Sequence, residues 1–269
     1  MKKLYCLFIA LFAVAFSYSQ TAEQLLKSGN AKDKIHDYKG AIADYNKAIA
    51  LDSTTSEFYK FRGLAKANLG DYQAALQDFN KQIQLNSKDV VAYNNRGNAK
   101  DELQDAAGAE EDYSIAIRLD PTYGNAYYNR GRLRYKLHDY LGAVSDNDKV
   151  ISFDPTFADA YSMRGLAKYK SNNPTGAIDD FGQAIRLKPA NVDYYFNLGN
   201  AKTSGKDFIG AKEAYSQAIL LNPTYTDAFV NRGLIKIGLK EKDSGCLDLR
   251  KAVELGSERA GELAKKYCN

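Results

Sequence analysis

Seven glycines, Gly29, Gly63, Gly97, Gly131, Gly165, Gly199 and Gly233, recur at an interval of 34 residues. So regular an interval makes each stretch one supersecondary unit, and neighbouring units must stack to bury a shared core. Twelve residues after the first six glycines stands an alanine: Ala41, Ala75, Ala109, Ala143, Ala177 and Ala211; Gly245 takes the place in the seventh copy. Four residues on comes an aromatic, Tyr45, Phe79, Tyr113, Phe181 or Tyr215, with Asn147 and Leu249 as departures. Three further on are Ala48, Gln82, Ala116, Val150, Ala184, Ala218 and Ala252. Offsets of zero, four and seven mark one face of a helix. Asp37, Asp71, Asp105, Asp139 and Asp207 recur where an N-cap is needed, and Asn173 takes that place before Pro174. Pro121, Pro155, Pro189 and Pro223 stand in phase between copies, stopping one helix and beginning the next. Each unit therefore reads as a helix hairpin in which small residues let two helices approach and an aromatic fills the space beside them.

With an aromatic four residues before the glycine (Tyr59, Tyr93, Tyr127, Tyr161, Tyr195 and Phe229) the pattern resembles the tetratricopeptide repeat (TPR) family. The resemblance covers residues 22–259 as seven repeats: 22–55, 56–89, 90–123, 124–157, 158–191, 192–225 and 226–259. Leu25, Asn147 and Gly245 depart from it. It implies an all-α, right-handed superhelix of helix pairs whose first helices line a concave groove. Ala260, Leu263, Ala264 and Tyr267 then form an apolar stripe, so residues 260–269 read as a capping helix with a polar outer face.

Residues 1–19 read as a secretory signal. Lys2 and Lys3 precede an apolar run from Leu4 to Phe16, and Ser17 and Ser19 fit a small-x-small cleavage site. The run is short of the roughly 20 apolar residues a bilayer span needs. A cleaved signal would place the chain in the periplasm or outside the cell, with no integral span remaining; a retained anchor is the alternative.

Chemistry is sparse. Two histidines, His36 and His138, fall at one repeat position in a turn, and no metal, cofactor or catalytic constellation can be assembled. Lys plus Arg number 37 against 33 acids, too balanced a field to recruit nucleic acid. The expected function is a non-catalytic scaffold or adaptor of the bacterial envelope that binds a protein or extended peptide. An accessory factor of a cell-wall or polysaccharide complex is the alternative.

Carried over from the family, the groove candidates are Asn94, Asn98, Tyr128, Arg132, Tyr135, Lys136, Tyr169 and Lys170. Amides donate and accept, tyrosines offer rigid contact area, and the cations favour an acidic or polar segment. The chaperone-tail clamp of some relatives is absent: Lys60 and Asn95 match it, whereas Leu64, Asn125 and Asn129 do not.

Two further expectations concern the frame. Arg62, Arg96, Arg130, Arg164 and Arg232 are each followed sixteen residues later by Asp78, Asp112, Asp146, Asp180 and Asp248. The sixth repeat loses both partners together, as Leu198 and Ala214, which favours pairing within a repeat; the first has Ser28 with Asp44. Cys246 and Cys268 are the only cysteines after residue 19 and stand level across an antiparallel hairpin, which predicts a disulfide.

Overall fold

The computed structural model describes residues 21–268, and the expected signal segment, residues 1–19, lies outside the described residues. Among them every regular element is a helix. The chain divides into two compact units, Met1–Leu133 and Arg134–Asn269. The N-terminal unit is built from α1 (21–34), α2 (Tyr38–Leu51), α3 (Ser56–Asn68), α4 (Tyr72–Leu85), α5 (Val90–Glu102) and α6 (Ala106–Leu119), with α7 spanning Gly124–Lys136. The C-terminal unit continues with α8 (Tyr140–Phe153), α9 (Ala158–Lys170), α10 (Pro174–Leu187), α11 (Val192–Ser204), α12 (Phe208–Leu221), α13 (Thr226–Gly238), α14 (Lys242–Glu254) and α15 (Glu258–Tyr267).

Every hairpin closes in the same way. The turn residues His36, Gln104, His138, Asn172, Lys206 and Lys240 adopt φ between 61° and 67°, and Gly70 has φ 80°. This left-handed residue lets the next amide reach back over the helix end, as in Asp37 N–H to Lys32 O (3.0 Å) and Asp207 N–H to Lys202 O (2.9 Å). The same acid then caps the second helix: Asp37, Asp71, Asp105, Asp139 and Asp207 each accept from a backbone amide three residues on, and Asn173 does so ahead of Pro174. The in-phase prolines do not begin helices. Pro121 and Pro155 lie in the linkers, three residues before Gly124 and Ala158, because the chain must turn before the next first helix starts.

The aromatic sits directly on the repeat glycine of its own hairpin. A Cβ on Gly63 would lie 2.7 Å from the Phe79 ring, one on Gly97 would lie 2.7 Å from Tyr113, and one on Gly165 would lie 3.0 Å from Phe181. Each of these rings also packs on a residue of the following first helix: Phe79 on Ala99, Phe181 on Ala201 and Tyr113 on Leu133. The core is thus a row of thin layers, each shared by two neighbours. In the seventh repeat the two departures compensate. Leu249 is smaller than an aromatic, and Gly245 lets the helices close until a Cβ there would stand 2.7 Å from Gly233 O. Asn147 is fully buried in the aromatic's place, donating to Ala143 O (2.8 Å), while its Oδ1 has no partner.

At the C-terminus, α15 begins at Glu258 behind the N-cap Ser257 and stops at Tyr267, two residues ahead of the expected span at each end. Ala260 is buried against Leu249, Ala252, Phe229 and Val230, with Leu263, Ala264 and Cys268 beside them. Cys246 and Cys268 are bonded, their Cα atoms 5.7 Å apart. Among the described residues no helix is long and apolar enough to cross a membrane.

Candidate functional site

The first helices carry different chemistry on opposite sides. Taking about 100° per residue, the groove positions lie within about 60° of the direction opposite the arginine that precedes the repeat glycine. The arginine side is a frame of buried ion pairs. Arg96 Nε and Nη2 donate to Asp112 at 2.8 and 2.6 Å, and Arg232 repeats this on Asp248 at 2.8 and 2.7 Å. Arg62–Asp78 and Arg164–Asp180 have the same two-pronged form. Pairing within the repeat therefore holds at these four repeats. Hydrogen bonding to Asp112 raises the Arg96 guanidinium above its ordinary value, against the effect of burial.

Three partners of this frame were not anticipated from sequence. A second cation four residues after the arginine meets the same carboxylate: Lys66 on Asp78 (2.7 Å), Lys100 on Asp112 (2.8 Å), Lys168 on Asp180 (2.8 Å) and Lys236 on Asp248 (2.8 Å). In the first repeat Lys32 and Ser28 both reach Asp44 at 2.6 Å. The arginine's remaining arm crosses to the preceding repeat, to Asn46, Asn80, Ser114, Asp148 or Ser216. Finally, each arginine lies over the ring three residues before it, as Arg96 does over Tyr93 (5.3 Å) and Arg232 over Phe229 (5.5 Å). The second cation and the outer-arm acceptors were legible as 34-residue periodicities of polar residues, and the ring as an aromatic one.

On the groove side of the N-terminal unit, a cavity of about 300 Å³ opens against successive first helices, at Leu64, Asn98 and Arg132. Asn68, Asp101 and Glu102 complete its polar wall. Two of the groove candidates, Asn98 and Arg132, are thus brought together. Asn98 is exposed, but its carbonyl is committed: it accepts from Tyr113 Oη at 2.8 Å, leaving the NH₂ as a donor. The same bond recurs as Tyr45 to Asn30 and Tyr215 to Asn200, both at 2.8 Å. Where the aromatic is Phe79 or Phe181, the matching residue is Leu64 or Leu166. The residue after the repeat glycine is therefore chosen first by the ring beneath it. Asn94 is a correction. It is 5% exposed and accepts from Asn129 Nδ2 at 2.9 Å, so it ties two repeats together and presents nothing to a ligand. Tyr128 is half-buried on α7.

In the C-terminal unit Tyr135 and Tyr169 are half-buried, and Lys136 and Lys170 stand exposed beside them. Burial, with Tyr140 and Tyr169 nearby, pushes the Tyr135 hydroxyl up. The Lys170 ammonium lies 5.9 Å from the Tyr169 ring centre. His36 and His138 are exposed turn residues, each with Nδ1 within 2.8 Å of the hydroxyl of a tyrosine two residues on. Among the described residues no cluster of three metal-ligating side chains occurs.

Stacked helix hairpins with a small-residue seam and polar first-helix side chains define a repeat scaffold for protein–protein interaction. The chain belongs to the tetratricopeptide repeat family, whose members are generally non-catalytic scaffolds. Profiles described as tetratricopeptide repeat match residues 26–89, 94–156 and 192–225, and one described as TPR repeat matches 165–203. Among curated proteins no sequence match is found. Among solved structures, MamA is 27% identical, covering 61% of this chain and 96% of its own, with a TM-score of 0.59. YrrB, described as a TPR protein with an unusual peptide-binding site, is 23% identical over 70% of this chain and 97% of its own (TM-score 0.62). A tetratricopeptide repeat protein from Parabacteroides merdae is 21% identical over 93% of this chain and all of its own (TM-score 0.66).

Proposed function

We propose that the protein is an exported adaptor of the bacterial envelope that holds an extended, polar segment of a partner protein on its first helices. The observation that carries this reading is the cavity at Leu64, Asn98 and Arg132. It joins one position from each of three successive repeats, as an extended chain lying across the helices would require. The Asn98 amide and the Arg132 guanidinium can donate to the segment's carbonyls, while Asp101 and Glu102 accept from its amides or from a basic side chain. Two carboxylates to one guanidinium make this cavity a poorer host for an acidic segment than the cations on α7 and α9 alone suggested. The YrrB peptide site is a precedent on the same fold. Export is supported by the signal pattern in residues 1–19 and by the Cys246–Cys268 pair, since such bonds persist in oxidising compartments.

The test is capture from an envelope extract, comparing the wild-type chain with the variant Asn98→Ala/Tyr128→Ala/Arg132→Ala. Loss of a specific partner at unchanged circular dichroism supports the site. Retention of every captured partner by the folded variant removes it. Export is tested by mass spectrometry of the purified mature chain, for which an N-terminus at Gln20 is expected.

A further inference from the structure

The sixth repeat departs from the ion-pair frame at three members at once. Leu198 replaces the arginine, and Ala214 replaces the carboxylate. Gly182 stands where the other repeats supply Asn46, Asn80, Ser114, Asp148 or Ser216 to the arginine's outer arm. The second cation survives as Lys202, equivalent to Lys66, Lys100, Lys168 and Lys236. Deprived of a buried carboxylate, its ammonium turns to the exposed cap Asp207 at 3.3 Å. Pairs of that kind are weak and easily exchanged.

The space left behind is open. Between α10 and α11 lies a cavity of about 570 Å³, floored by Ile178, Gly182 and Leu198 and edged by Arg186, Lys202 and Asp179. One repeat later, between α12 and α13, the corresponding cavity measures about 300 Å³. There Arg232 crosses the gap to Ser216 (3.1 Å), and Lys212 stands where Ile178 does. The comparison is internal to one unit. With the frame lost and Ile178 in place of Lys212, the space is nearly doubled and its floor is apolar. This side of the first helix points away from the groove positions.

We propose that this gap is a second docking site, taking an acidic segment of a partner polypeptide. The segment seats one apolar side chain on Ile178, Gly182 and Leu198 and gives a carboxylate to Lys202 and Arg186. That carboxylate replaces the one which Asp78, Asp112, Asp180 and Asp248 provide internally elsewhere. Charge favours this occupant: two cations edge the cavity against Asp179 alone. A basic segment would meet both cations and gain one acid.

The experiment uses the full mature chain, ¹⁵N-labelled, and a blocked octapeptide with Leu-Phe flanked by two glutamates on each side. Controls are the same peptide with lysine for glutamate and with alanine for Leu-Phe. Amide shifts at Ile178, Gly182, Leu198 and Lys202 are expected with the acidic–apolar peptide, and each control should bind at least about tenfold more weakly. Gly182→Ser/Leu198→Arg/Ala214→Asp rebuilds the frame as repeat seven has it and should lose about tenfold in affinity. Ile178→Lys, at a half-buried position where the next repeat carries Lys212, should weaken binding without touching the frame. Asn98→Ala/Arg132→Ala should bind as wild type, which separates this site from the groove. No binding, equal binding of the lysine peptide, undiminished affinity in both filled variants, or shifts confined to first-helix groove positions would each overturn the proposal.

Discussion

Asp112→Ala is the sharpest probe of the frame. The Asp112 side chain is 1% exposed and receives Arg96 and Lys100, each 19% exposed. Truncation leaves both cations largely out of water with no counter-charge. Breaking a fully buried pair costs about 3–5 kcal/mol. Partial access of both cations to solvent lowers this, and the better helix propensity of alanine returns up to about 0.7 kcal/mol. The expected loss is therefore about 2–4 kcal/mol. The double variant Arg96→Leu/Asp112→Ala copies what repeat six does at Leu198 and Ala214. It removes the stranded guanidinium together with the acid, and should lie at least about 1 kcal/mol closer to wild type than the sum of the two single variants. Urea unfolding followed by circular dichroism, fitted with nearest-neighbour coupling between repeats, measures all four proteins. A single-variant cost under about 0.5 kcal/mol, or strict additivity in the cycle, would refute the argument that these pairs matter through the penalty of breaking them.

Phe79→Tyr would place a hydroxyl against Leu64 with no acceptor, costing about 1–2 kcal/mol, and Leu64→Asn added to it should restore at least half; thermal melts of the two variants decide. Lys240 holds φ 67° in a hairpin turn, so Lys240→Gly should raise stability by up to about 1 kcal/mol, and a loss in urea midpoint would contradict that. Hydrogen bonds from Lys32 and then Ser28 hold Asp44 below its ordinary value of 3.8. A lowered carboxylate contributes stability above its unfolded value and loses it as pH falls, so wild type should lose stability from about pH 4 downward more steeply than Asp44→Asn. Parallel melting profiles of the two proteins from pH 5 to 3 would show that Asp44 carries no such linkage.

The hairpins were legible because two helices can approach only where Gly63 or Ala75 leaves room, so packing writes a fixed interval into the chain. The caps were legible for an equally local reason, since Asp37 bonds an amide three residues away. Four of the ion pairs were legible because Leu198 and Ala214 vary together. Asn98 was half misread: its place on the groove side was right, yet one of its polar atoms answers to Tyr113 fifteen residues on. The pairing of Tyr with Asn and of Phe with Leu was visible in the sequence as a second covariation. Asn94 was misplaced because its partner, Asn129, lies 35 residues away on another first helix, and a single helix face carries no sign of that contact. The left-handed turns escaped notice because only Gly70 among the seven is a glycine; Asn172, His36 and His138 are types that tolerate this region, whereas Gln104, Lys206 and Lys240 are held there by hairpin closure.

The bond between Cys246 and Cys268 bears on the order in which such a stack comes apart. Linear arrays normally lose terminal elements one helix at a time, because the last element has a neighbour on one side only. Here α15 is tethered back to α14 through a ring with a sequence separation of 22 residues, which withholds about 3 kcal/mol of the chain entropy that its detachment would release. Single-helix fraying is thereby disfavoured at the C-terminal end. The step that competes with it is the joint departure of α14 and α15, which must also break the seam at Gly233 and Gly245 and the Asp248 ion pairs.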